Sequence, residues 1–64
     1  MSEYYKLIDG EEIQIRCKVF NKLLDSLIKK ENIEETTYYN IARDNFHTIY
    51  ILNGKAVLKK VSDC

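Results

Sequence analysis

The residues of this chain that could do chemistry are few: one histidine, His47, and two cysteines, Cys17 and Cys64. A zinc site needs three or four nitrogen or sulfur ligands at a recurring spacing, and these three residues have none. Nucleophilic catalysis needs a nucleophile, a base and a group that orients the base. Cys17–His47 is the one available pair, and Cys17 lies on the apolar side of an alternating stretch, where a small core thiol is expected. His47 follows Phe46 at the start of a strand-like run and has no cysteine or carboxylate partner by spacing, so it reads as a surface or rim histidine. Glu11-Glu12 and Glu34-Glu35 fall at polar positions and read as solvated. No glycine-rich loop is present to cradle a phosphate. The expectation is a protein with no enzymatic activity, metal, cofactor or small-molecule substrate.

Two groups of residues suit binding better. Arg43, Lys55, Lys59 and Lys60 lie near Tyr38 and Tyr39 in sequence, and bases interleaved with aromatics can hold phosphates and stack nucleobases. Lysines also guard exposed strand edges against aggregation. The chain has five tyrosines, more than so small a core can take. Tyrosine is enriched at protein interfaces because it offers a large rigid area with a polar tip.

The elements that position these residues are marked by two matching segments, Ile8-Asp9-Gly10-Glu11 through Arg16 and Leu52-Asn53-Gly54-Lys55 through Lys60. Each has an Asx-Gly pair followed by alternating residues, and these are the only two glycines. Asx-Gly suits a two-residue type I′ hairpin turn, which needs positive φ at both central positions. The first hairpin joins Tyr4–Ile8 to a strand over Glu12–Val19, with Tyr4, Ile8, Ile13 and Ile15 on one face. The strict alternation of Ile13, Ile15, Cys17 and Val19 favours strand over a helix capped by Asp9. Asn21 reads as the N-cap of a helix over Lys22–Lys30, with Leu23, Leu24, Leu27 and Ile28 as its apolar stripe and Glu31-Asn32 ending it.

Residues 33–43 read as a strand, rich in Thr and Tyr; a helix with Ile33, Thr37 and Ile41 on one stripe is the alternative. The second hairpin, Phe46–Leu52 with Lys55–Val61, is expected to carry Phe46, Tyr50, Leu52, Val57 and Val61 on one face. Its other face would carry Ile49, Ile51, Ala56 and Leu58. Both faces are apolar, and one short helix can cover only one of them.

Sixty-four residues make one domain, spanning 1–64. The net charge is zero, from ten basic and ten acidic side chains, unlike the positive excess of a general nucleic-acid binder. Residues 1–42 are slightly acidic and 43–64 slightly basic. The start Met1-Ser2-Glu3-Tyr4-Tyr5-Lys6 lacks the features of a secretory leader, and no apolar run is long enough for a membrane span. The expected location is the cytoplasm, with reduced thiols. Frequent Ile, Lys, Asn and Tyr, with no Pro or Trp, are expected of a low-GC bacterial or phage genome.

Residues 33–60 resemble the winged-helix excisionase family, the small DNA-bending recombination directionality factors of phages and conjugative transposons. Glu35-Thr36-Thr37-Tyr38-Tyr39-Asn40-Ile41-Ala42-Arg43-Asp44-Asn45 looks like the recognition helix of that family. Ile49 through Lys59 looks like its β-hairpin wing. The resemblance implies a ββααββ arrangement, with Tyr39, Asn40 and Arg43 facing a DNA groove and Lys55, Lys59 and Lys60 on phosphate.

The residues themselves favour an α+β domain of order ββαβββ. Its expected function is as a small non-enzymatic interaction module, a phage or mobile-element regulator that binds and modulates a larger protein or pairs with itself. DNA binding is the alternative. The candidate interaction residues are Tyr38, Tyr39, Asn40, Arg43, Ile49, Ile51, Lys55, Leu58, Lys59 and Lys60.

Overall fold

The computed structural model describes residues 2–30 and 32–63. Their order is β1 (Ser2–Ile8), β2 (Glu11–Ile15), α1 (Cys17–Lys30), β3 (Ile33–Asn40), β4 (Asn45–Leu52) and β5 (Lys55–Asp63). The strands form one antiparallel sheet, ordered β2-β1-β5-β4-β3. The expected ββαβββ arrangement of an α+β domain is therefore the fold. The ββααββ alternative is not, because the stretch read as a recognition helix forms β3 and a turn.

Local chemistry explains the three hairpins. Asp9-Gly10 and Asn53-Gly54 all have positive φ (50°, 84°, 52° and 77°), as a type I′ turn requires. The third hairpin joins β3 to β4 through residues 41–44. There the Arg43 N–H donates to the Asn40 carbonyl at 3.3 Å, and Asp44 takes the left-handed conformation at φ 51°, which Asp tolerates better than most residues. The register Tyr4↔Ile15, Lys6↔Ile13 and Ile8↔Glu11 puts Tyr4, Ile8, Ile13 and Ile15 on one face, as their alternation implies.

Several sequence expectations are corrected. First, β2 stops at Ile15 and the helix begins at Cys17, five residues before the expected Lys22. Asn21 is inside the helix rather than its cap; the Arg16 carbonyl accepts the first helical bond, from the Phe20 N–H at 2.9 Å. Helix over this stretch puts Phe20, Leu24 and Leu27 on one stripe against the sheet, which no alternating strand could do. Phe20, 2% exposed, is the anchor. Second, Leu23 and Ile28 are 38% and 58% exposed, so only the Leu24–Leu27 half of the expected stripe packs. The thiol of Cys17 is exposed rather than a core group. Glu31 and Cys64 lie outside the described residues.

The third correction concerns register. The β4–β5 ladder pairs Leu52↔Lys55 and Ile51↔Ala56, then shifts to Tyr50↔Leu58, Thr48↔Lys60 and His47↔Val61. Val57 is left with no residue opposite. A one-residue shift moves every later side chain to the other face. Leu58 therefore joins Tyr50, and Val61 joins His47, the reverse of the uniform register. Val57 and Leu58 both reach the core, which is built on Phe20, Tyr50 and Leu58 with Tyr4, Ile15, Leu24, Leu27 and Ile33 packed around them. The Phe20 ring lies 4.9 Å from Tyr4 and 5.8 Å from Tyr50, centroid to centroid.

Because neighbouring strands all alternate in direction, β2 and β3 run parallel on opposite edges, and α1 crosses one face of the sheet to join them. Among the described residues no helix covers the other face. No helix among the described residues is long and apolar enough to cross a membrane.

Candidate functional site: the helix-free face

Cross-strand pairing builds the helix-free face in rows. One row runs Tyr38, His47, Val61 and Glu3 across β3, β4, β5 and β1. The next runs Thr36, Ile49, Lys59, Tyr5 and Gln14. Beyond it lie Glu34, Ile51 and Ala56 and, on the β1–β2 side, Leu7 and Glu12. Tyr5, Leu7, Ile49, Ile51 and Ala56 are half-buried with nothing from α1 over them. This band is apolar and aromatic, broken by a few charges.

His47 is 4% exposed and so is not the rim histidine its sequence context implies. Tyr38 stacks on it, ring centroids 5.0 Å apart. Asn45 offers its Oδ1 at 2.8 Å from His47 Nε2, so Nε2–H donates and Nδ1 accepts from the Tyr38 hydroxyl at 3.3 Å. Both ring nitrogens of the neutral imidazole are satisfied. Burial lowers the His47 pKa, and the positive charges of Lys59 and Arg43 lower it further, against a smaller opposing effect of Glu12.

Lys59 reaches across β1 to Glu12, its Nζ 2.8 Å from Oε2. The Tyr5 hydroxyl donates to Glu3 Oε2 at 2.8 Å. That bond, with burial and the charges of Glu3 and Glu12, raises the Tyr5 pKa, while Arg43 opposes it.

The residues chosen from sequence are scattered by this geometry. Ile49, Ile51, Tyr38, Asn40 and Lys59 lie on the helix-free side. Tyr39 lies on the helix side, packed on Phe46 with ring centroids 4.9 Å apart, its hydroxyl bonded to Asp44. Leu58 is buried beneath Phe20. The four bases form no cluster. Arg43 stands in the 41–44 turn, and Lys55 lies at the opposite end of the sheet, 3.7 Å from Asp9. Lys60 is on the helix side, 5.9 Å above the Tyr4 ring, and Lys59 is already paired. Tyr5, Leu7, Val61 and His47 are not among the candidate interaction residues of the sequence analysis. For Tyr5 and Leu7 the missing signal is the β1–β5 pairing, and for Val61 it is the register shift; His47 shares the face of Ile49 and Ile51 by alternation, and what the sequence does not show is the Tyr38 ring that covers it. Among the described residues no group of three His, Cys, Asp or Glu side chains converges to hold a metal.

No protein-family model, no curated protein and no solved structure matches the chain.

Proposed function

We propose that this protein is a non-enzymatic interaction module whose helix-free sheet face binds a larger protein and modulates it. The observation that carries this reading is the one-sided placement of α1. The sheet has apolar and aromatic side chains on both faces, and one helix covers only one of them. Tyr38, Ile49 and Ile51, with Tyr5 and Leu7, supply rigid aromatic and aliphatic anchors of the kind that dominate protein interfaces. Lys59 and Glu12 neutralise each other there, so the face has little net pull on a polyanion.

Immobilised wild-type protein should retain a specific protein partner from its cell of origin through a wash at moderate salt. Ile49→Glu with Ile51→Glu should release that partner, while Ile28→Glu, on the exposed side of the helix, should not. Retention of nucleic acid instead, lost as salt rises, would sink the reading in favour of DNA binding.

A further inference from the structure

We infer that the cavity between the C-terminal end of α1 and the start of β3 is a site for a small organic ammonium ion with an apolar body. Its volume is about 290 Å³, and Ile28, Asn32, Ile33, Glu35 and Tyr50 line it. Ordinary ligand pockets begin at about that size, roughly 300 Å³. The register explains why these residues meet. Ile33, Glu35 and Tyr50 fall on the helix side of β3 and β4, with Glu35 directly opposite Tyr50. Ile28 belongs to the last turn of α1, and Asn32 to the link between α1 and β3.

Two polar groups set the chemistry. Tyr50 is 9% exposed. The hydroxyls of Tyr5, Tyr38 and Tyr39 are each hydrogen-bonded, whereas that of Tyr50 has no partner among the described residues. No polar side-chain atom among those residues is both sealed from solvent and unpartnered, so the Tyr50 hydroxyl opens into the cavity that its residue lines. The Glu35 carboxylate is the other group, and it is the only ionised one of the five. Its charge is felt at the phenol: burial first, and then Glu35, raise the Tyr50 pKa. The phenol therefore stays neutral, with a lone pair to offer. The end of α1 is also the negative end of its dipole. Neither Lys29 nor Lys30 lines the cavity, and Lys29 is held by Asp25 at 3.2 Å.

An anion would face Glu35, and a neutral molecule would leave that carboxylate to water. An ammonium ion can donate to the carboxylate and to the phenol oxygen. Its hydrocarbon part then lies on Ile33 and on Ile28, which is otherwise 58% exposed. The cavity is on the helix side, so the inference does not depend on what the helix-free face binds.

Titration of the full chain with phenethylammonium chloride, followed by nuclear magnetic resonance, tests it. The signals of Ile28, Ile33, Glu35 and Tyr50 should move along one saturable curve. Phenethyl alcohol, of similar shape but uncharged, and hydrocinnamate, its anionic counterpart, should each bind about tenfold more weakly or worse. Glu35→Gln should weaken the ammonium about tenfold and Tyr50→Phe about threefold, with circular dichroism showing the fold retained. Glu34→Gln, on the opposite face of β3, should leave the affinity unchanged. Shifts that never saturate, equal binding of the alcohol, or equal effects of Glu34→Gln and Glu35→Gln would each overturn the site.

Discussion

The Lys59 ammonium of β5 lies 2.8 Å from the Glu12 carboxylate of β2, with β1 between the two strands. The lysine side chain is 15% exposed and the glutamate 47%. The ion pair is therefore unequal, with a well-covered cation held by a half-exposed anion.

Removing the anion should cost more than removing both partners. Glu12→Gln leaves a covered ammonium poorly matched and should destabilise by about 1 kcal/mol, whereas the double variant Glu12→Gln, Lys59→Met should recover most of that loss. Urea unfolding of the four members of the cycle measures the coupling. An additive result would show that the pair does not stabilise the fold.

His47 should make stability depend on pH. Its folded pKa lies below the ordinary 6.5, so the unfolded chain takes up the proton first. The contribution is fully present above pH 6.5 and is lost as pH falls through the folded value. The urea midpoint should drop between pH 7 and pH 5.5, and His47→Gln should flatten that part of the profile. Equal slopes for the two proteins would locate the dependence elsewhere.

Phe20 carries the core. Truncation to alanine in well-packed interiors costs about 3–5 kcal/mol, close to the whole stability expected of a domain this small. Phe20→Ala should abolish the cooperative thermal transition followed by circular dichroism. Leu23→Ala, at a 38% exposed helical position, should leave the transition in place.

At Gly54 the backbone alone sets the cost of substitution. Its φ is 77°, and a Cβ there would meet nothing within 4 Å. Gly54→Ala should destabilise by about 1 kcal/mol through left-handed strain, with the fold unchanged. A loss several-fold larger would mean that the turn does more than reverse the chain.

The legible parts of this fold are those encoded by near neighbours. Asx-Gly pairs specify their hairpins within four residues, and Thr36 through Tyr39 favour a strand by their own propensity. The start of the helix is hidden because Ile13, Ile15, Cys17 and Val19 satisfy a period of two while Phe20, Leu24 and Leu27 satisfy a helical one; burying Phe20 against Tyr4 and Tyr50 decides between them. The register shift opposite Val57 requires no glycine or proline, so nothing local announces it. His47, Ile49 and Ile51 accordingly share a face by alternation along β4 alone, whereas Val61 could not be placed with them from sequence. Lys59 and Lys60, adjacent in sequence, belong to opposite faces by strand alternation alone.

Of the four strand pairings, three are closed by turns of two or four residues. The fourth, Ser2–Lys6 against Leu58–Ser62, joins the two ends of the chain. Folding should therefore have three fast local closures and a single slower one, which closes a loop of nearly the whole chain. The hairpin with its helix and the three-stranded meander are natural halves of a split protein, which should reassemble along β1 and β5 when supplied as separate peptides.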